Sequence, residues 1–274
     1  MIITTPPSWW LAGLLASAIA AWGWRRGSLQ RNGAFTAAGL GALALRTGWG
    51  WGLYLILWFA LATLVSRLGR RTKASRLAAV VAKDDRRDLW QVLANGGLFA
   101  LCASALWLPN PPLPPDILAV AGAAALAATG ADTWSTEIGT WLGGTPWSFR
   151  TGGRVPPGSS GAVTVAGSVG GVAGALVLAG AALAVRLIPQ TAFLPVALGG
   201  VAGTLADTLI GAWWQADRWC PACKTATERP VHRCGTATTH ARGLQWLDND
   251  LVNLLCGAVG ALTAVVLSAV LLTA

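Results

Sequence analysis

Three short polar clusters interrupt otherwise apolar stretches of this chain. They are Gly130-Ala-Asp132-Thr133-Trp-Ser135-Thr136-Glu137-Ile-Gly139, Ala206-Asp207-Thr208 and Leu247-Asp248-Asn249-Asp250-Leu-Val-Asn253. Five of the eleven Asp and Glu residues lie in them. A carboxylate inside an apolar membrane segment costs several kcal/mol, so it persists where it binds or reacts with something. Carboxylate and amide oxygens are hard ligands that suit Mg²⁺, which typically takes one or two carboxylates together with substrate phosphates. Asp132, Glu137 and Asp207 are therefore the candidate functional acids, with Asp250, Gln91, Asn95, Asn249 and Asn253 as candidate polar contacts toward the same side.

Helical geometry constrains how these groups cooperate. Asp132 and Thr136 share one face and Thr133 and Glu137 another. Asp132 and Glu137 are about 140° apart at 3.6 residues per turn. They join one metal only if the helix breaks near Gly130 or Gly139; otherwise they serve neighbouring sites. Asp88, Gln91 and Asn95 form an i, i+3, i+7 stripe, and Asn249 and Asn253 are i, i+4 with Asp248 and Asp250 at the helix entry. Interhelical hydrogen bonding and capping would account for Asn95 or Thr208, but not easily for Asp132, Glu137 and Asp207 together.

Two loops add further chemistry. Arg150-Thr-Gly-Gly-Arg154-Val-Pro-Pro-Gly158-Ser159-Ser160-Gly161 is glycine-rich, carries two Arg and runs toward a helix N-terminus. Backbone N–H groups, hydroxyls and guanidinium groups in that order make a phosphate cradle. A flexible loop with an N-cap at Ser159 or Ser160 is the plain alternative. The Lys-Ser/Thr ending of a P-loop is missing. Cys220-Pro-Ala-Cys223 followed by His232-Arg-Cys234 supplies four zinc-type ligands, suited to folding a loop over 215–248, with redox thiols as the other use. Asp84-Asp-Arg-Arg-Asp88 matches the DDxxD string of prenyl-transferring enzymes, but its central Arg residues compete for the carboxylates.

The elements that must carry these groups are membrane helices. Of 274 residues, 54% are hydrophobic and 11% charged, with mean hydropathy +0.55. Apolar segments fall at 8–24, 33–48, 50–66, 89–108, 116–138, 161–187, 192–214 and 250–273, most near the roughly 20 residues a spanning helix needs. The expected fold is all-α, a single polytopic bundle over 1–274 with eight helices, or seven if 33–48 is re-entrant. Alternate loops hold eighteen of the twenty Lys and Arg. The positive-inside rule puts those loops in the cytoplasm and both termini outside, as expected for a bacterial plasma membrane. The net charge of +9 is spread between apolar runs rather than along one stripe, which argues against nucleic acid. Trp9, Trp10, Trp22, Trp24, Trp49, Trp51, Trp107, Trp213 and Trp214 sit near segment ends as interfacial anchors.

Gln91-Val-Leu-Ala-Asn95-Gly, Ala131-Asp-Thr-Trp-Ser-Thr-Glu137-Ile-Gly, Val155-Pro-Pro-Gly-Ser-Ser-Gly161, Ala206-Asp-Thr-Leu-Ile-Gly211 and Leu247-Asp-Asn-Asp-Leu-Val-Asn253 stand in order over about residues 87–260. In these motifs the chain resembles the integral membrane proteins of domain-of-unknown-function family 92. That family includes transmembrane protein 19 and the plant phytyl-phosphate kinase of tocopherol synthesis. Gly158-Ser-Ser-Gly-Ala162 departs from the family's frequent Gly-Thr-Ser-Gly-Gly, and Asp207-Thr208 from its Asp-Ser, yet both keep a hydroxyl. The Cys-rich loop belongs to only part of the family.

The resemblance implies phosphoryl transfer from a nucleoside triphosphate, CTP favoured over ATP, to an isoprenyl monophosphate. Asp132, Glu137, Asp207 and Asp250 would hold Mg²⁺; Arg150, Arg154 and Gly158–Gly161 would hold phosphates; the prenyl tail would lie in the bilayer between helices. The rivals are a transporter or flippase of polyprenyl-phosphate lipids, which predicts acids at mid-depth, and a prenyl- or phospho-alcohol transferase, which needs a second metal motif.

Overall fold

The computed structural model describes residues 5–69, 72–73 and 86–273. Eight α-helices are present among them: α1 (Trp9–Arg25), α2 (Arg31–Thr47), α3 (Trp49–Arg67), α4 (Leu89–Ala105), α5 (Pro115–Leu142), α6 (Val165–Ala184), α7 (Phe193–Trp213) and α8 (Asn249–Thr273). Five, namely α3, α5, α6, α7 with its preceding 3₁₀ turn, and α8, are long and apolar enough to cross a membrane.

The helices run back and forth between two ends. At one end the α1–α2 and α3–α4 loops meet through the Leu29–Arg87 bridge and the Arg67 bond to Ser28 Oγ (3.2 Å). Lys73 joins that end to α5 by an ion pair with Glu137. At the other end Trp9, Arg46 and Trp107 cluster. The Arg46 guanidinium lies over both indole rings, 5.7 and 4.9 Å from their centroids, and Trp107 Nε1 donates to Thr47 Oγ1 (3.0 Å). Helix α2 begins at the first end, where Gly33 lies against the Arg87 carbonyl, and finishes at the second. It therefore runs the length of the bundle as one unbroken helix.

Helix α5 is the axis of the fold. Every residue from Leu118 to Ala131 is buried, and α3, α4, α6, α7 and α8 all pack on it. Its buried surface is mostly Ala and Gly, so neighbours approach closely and dispersion contacts are made by backbone as well as side chains. Trp51, read from sequence as an interfacial anchor, is instead 7% exposed and packs on Phe99 at 5.0 Å, whereas Trp10 is 91% exposed. A tryptophan near a segment end faces the core when its helix face does.

Two small sheets depart from the all-α expectation. The first, β1 (Trp147–Ser148), β2 (Gly153–Arg154) and β3 (Ala162–Val163), has order β2-β1-β3 and lies between α5 and α6. The second, β4 (Asp217–Cys220), β5 (Thr225–Thr227) and β6 (Thr239–Arg242), has order β5-β4-β6 and lies between α7 and α8. Strand β3 also corrects the start of the sixth helix. Ala162 and Val163 are apolar but extended, and Thr164 caps α6 by accepting from the Gly167 N–H (3.0 Å), so neither Ser159 nor Ser160 is the cap.

Candidate functional site

The acid pair is assembled one helical turn before its carboxylates. A methyl group at Gly203 of α7 would sit 2.5 Å from both the Ala128 Cβ of α5 and the Cys256 carbonyl oxygen of α8. Only glycine lets the three backbones meet there. Thr204 bonds to the Ala128 carbonyl (3.4 Å) beside this junction. Four residues on, along the same two faces, come Asp132 and Asp207. Their carboxylates are close enough to repel each other, and Glu228 adds a third negative charge facing Asp207. The Cys256 thiol lies near both. No hydrogen-bond donor reaches either carboxylate among the described residues. Paired, partly buried carboxylates without a donor or a protein cation are a fitting oxygen-ligand set for a divalent cation.

Glu137 is not part of that set. Helix α5 is continuous through Leu142, with no break at Gly130 or Gly139, so Glu137 stays on a different face from Asp132. There it pairs with Lys73, whose Nζ also donates to the Ser66 carbonyl (2.6 Å). Arg87 is near enough for its charge to register with Glu137, and burial lowers the guanidinium from its ordinary value while Glu137 raises it. Of the two arrangements open from the sequence, one shared metal or neighbouring sites, the unbroken helix leaves the second for Asp132 and Glu137. Asp250 lies in the first turn of α8, half-buried. The Cys256–Asn249 spacing of seven puts Asn249, rather than Asp250, in line with the thiol that borders the acid pair.

Beside Glu137 is an amphiphilic opening. An open cleft runs between α1, α2, α3 and α4, lined by apolar residues including Ile19, Leu40, Leu55 and Phe59, with Arg87 its one charged lining group among the described residues. Arg87 also borders a smaller polar recess formed with Arg26, Ser28, Thr63, Ser66 and Arg67. Arg87 donates to Thr63 Oγ1 (3.3 Å) and Arg67 to Ser28. Apolar walls thus give way to guanidinium groups at the end of the bundle where Glu137 stands.

The glycine-rich loop folds over α7 just past Asp207. Gly161 has φ +69°, and a methyl group there would strike Ala212 N at 2.1 Å and Thr208 O at 2.5 Å. Ser160 Oγ donates to Asp217 (2.9 Å), and Arg242 pairs with the same carboxylate (2.6 Å) while bonding the Ala212 carbonyl (2.8 Å). Ser159 donates to the Pro156 carbonyl within its own turn (2.8 Å), next to Gly158. Arg154 bonds the Thr145 carbonyl, while Arg150 is exposed. The loop lies near the acid pair, but Ser159, Ser160 and Arg154 hold the loop's own shape, leaving Arg150 as the extended cation.

The Cys220, Cys223, His232 and Cys234 side chains come together as their spacing predicts, with ligand atoms within 4.8 Å of one another. Among the described residues they form the one such cluster of three or more ligands. Hydrogen bonds with Thr236 and His232 hold the Cys234 thiol down to about 6, and the bond with Cys234, with partial desolvation, pushes Cys223 up to about 11.

Several expected contacts have local duties instead. Asp88 and Gln91 form a capping box at the start of α4 (3.0 and 3.2 Å), Asn95 donates to the Gln91 carbonyl (2.8 Å), and Asn253 donates to the Asn249 carbonyl (2.9 Å). Asp84 and Asp85 of the DDxxD string lie outside the described residues. Sequence reasoning missed Glu228, Arg26, Arg67, Arg87 and Lys73 as parts of these sites. The only signal for them was the density of cations in two loops, which the positive-inside rule explains equally well.

The sequence profile of the family described as integral membrane protein DUF92 matches residues 14–261. The chain belongs to that family of integral membrane proteins. It is 25% identical over 264 residues to Protein PGR of Arabidopsis thaliana, covering 88% of this chain and 90% of the plant protein. It is 31% identical over 179 residues to an uncharacterized membrane protein of Methanocaldococcus jannaschii (59% of this chain, 65% of the relative). A third relative, from Synechocystis, is 29% identical over 174 residues (63% and 66%). No solved structure matches.

Proposed function

We propose that the protein is a membrane-embedded isoprenyl-phosphate kinase that transfers a phosphoryl group from a nucleoside triphosphate, CTP favoured, to a prenyl or phytyl monophosphate at the cytoplasmic face. The observation that carries this reading is the apolar cleft that ends at Arg87, where a polar recess with Arg26 and Arg67 adjoins it, at the end of α5 that also bears the acids. Apolar walls suit a hydrocarbon chain, and guanidinium groups suit its phosphate head. Glu137 and Asp132 are five residues apart, about 7.5 Å along the helix, so head group and acid pair stand at similar depth.

The reaction forms a bond between an oxygen of the acceptor monophosphate and the γ-phosphorus, and breaks the bond from that phosphorus to the β–γ bridging oxygen. The nucleoside diphosphate leaves with the electron pair. The acceptor is already ionised, so no strong base is needed, and catalysis consists of positioning and charge neutralisation. Arg87, Arg67 and Arg26 hold the acceptor head, and Glu137 keeps Lys73 beside it. Arg150 and the Gly158–Gly161 turn receive donor phosphates. Asp132 and Asp207 would hold Mg²⁺, which supplies charge neutralisation on the transferring group.

Purified protein given Mg²⁺, labelled CTP or ATP, and phytyl, geranylgeranyl or farnesyl monophosphate is expected to form the prenyl diphosphate, and Asp132→Asn to lose that product. No product from folded protein with any pair would sink the kinase reading and favour transport of the same lipids.

A further inference from the structure

The insert between α7 and α8 has a centre of sulfur, imidazole and hydroxyl groups rather than hydrocarbon. Between residues 217 and 246 its buried side chains are Cys220, Thr227, His232 and Thr238, while Trp219, Val231, Leu244 and Trp246 are exposed. Three strands of four, three and four residues cannot bury an apolar core of their own. Units of this size fold around a staple such as a metal or a disulfide.

The geometry of the centre distinguishes between those staples. Cys220 Sγ lies 3.7 Å from Cys234 Sγ, and His232 Nδ1 lies 3.3 Å from Cys234 Sγ. A tetrahedron with metal–sulfur bonds of about 2.3 Å and metal–nitrogen bonds of about 2.0 Å has edges of roughly 3.8 Å between sulfurs and roughly 3.5 Å from sulfur to nitrogen. The Cys223 backbone N–H donates to Cys220 Sγ (3.4 Å), and Lys224 turns the chain with φ +50°, so the first two cysteines sit in a tight knuckle at the end of β4. Backbone donors aimed at sulfur stabilise and orient ligand thiolates.

The insert is tied to the end of α7 at two points. Arg242, at the end of β6, fastens the sheet there through Asp217 and the Ala212 carbonyl. Buried Gln215, two residues past α7, donates to Oε1 of Glu228 (2.9 Å), which follows β5 directly.

We propose that Cys220, Cys223, His232 and Cys234 bind one structural Zn²⁺, and that this ion folds the insert that is fastened to the end of α7. The zinc has four protein ligands and no open position, so it does not act on substrate.

The first test is metal content of the full-length protein, purified in detergent without chelator or polyhistidine tag from zinc-replete cells. One zinc per chain is expected, falling at least tenfold in Cys223→Ser/Cys234→Ser and unchanged in Glu228→Gln. Zinc-free wild type overturns the site. If the double variant does not accumulate, Co²⁺ exchanged into wild type serves: absorption of a tetrahedral thiolate complex is expected, and an octahedral spectrum overturns the site.

Discussion

The two halves of the bundle are packed by different rules. Among α5, α6, α7 and α8, methyl groups at Gly199, Gly200, Gly203 and Gly260 would meet neighbouring atoms at 2.5 to 2.9 Å. In α1, α2 and α4, Gly13, Gly39 and Gly97 face open space and Gly96 has only ordinary contact with Leu40. The tightest approaches in the first half occur near helix ends, as at Gly33 and Gly52, with a milder one in mid-helix where Gly41 would meet Ala16 at 3.1 Å; in the second half Gly180 alone of the α6 glycines faces open space. One half fixes carboxylates on backbones that cannot separate or slide without losing contact; the other leaves a cleft with guanidinium groups at its mouth. In the proposed reaction, rigid placement would suit the charges that meet a transferring phosphate, and the open cleft would suit a hydrocarbon chain.

That contrast breaks most visibly at the acids. Asp132→Asn or Asp207→Asn is expected to lower kcat for phosphoryl transfer by about 10²- to 10³-fold or more, the scale of removing a preorganised charge-stabilising group, with the fold retained by circular dichroism. Arg87→Gln probes the open half and should raise KM for the acceptor by about 10- to 100-fold, from about 1.5–3 kcal/mol of charge-assisted hydrogen bonding. An equal effect on the nucleotide KM would place the acceptor head elsewhere. Gly203→Val should destabilise the bundle by about 1–3 kcal/mol through overpacking, whereas Gly97→Ala should be neutral or stabilising by up to about 1 kcal/mol; thermal unfolding in detergent measures both, and equal shifts would erase the distinction between halves. Thr164→Ala should give the smallest effect, about 1 kcal/mol from loss of the α6 cap.

The helices were legible in the sequence because each is a long apolar run bounded by Trp, Gly or cations, and every expected segment corresponds to an observed helix. The convergence of Asp132 with Asp207 was legible from their matched position late in two helices of the same direction. The assignment of Glu137 was not, because its partners come from a loop far away in sequence; only the unbroken course of α5 decides it. The strands at Ala162–Val163 and Asp217–Arg242 were hidden for a different reason. Strands of two to four residues carry too few side chains for an alternating pattern to stand out. The cleft left no mark at all, since it depends on how much volume four apolar helices leave between them.

Helix α5, at 28 residues, spans about 42 Å at 1.5 Å per residue, while 17-residue α4 covers about 26 Å. The surplus makes α5 a stiff axle bearing two cranks, Asp132 and Glu137, set nearly opposite each other. Any twist of that axle turns both cranks together, so in the proposed reaction the ion pair beside the acceptor head and the carboxylate of the cation site would be geared to each other by the backbone itself.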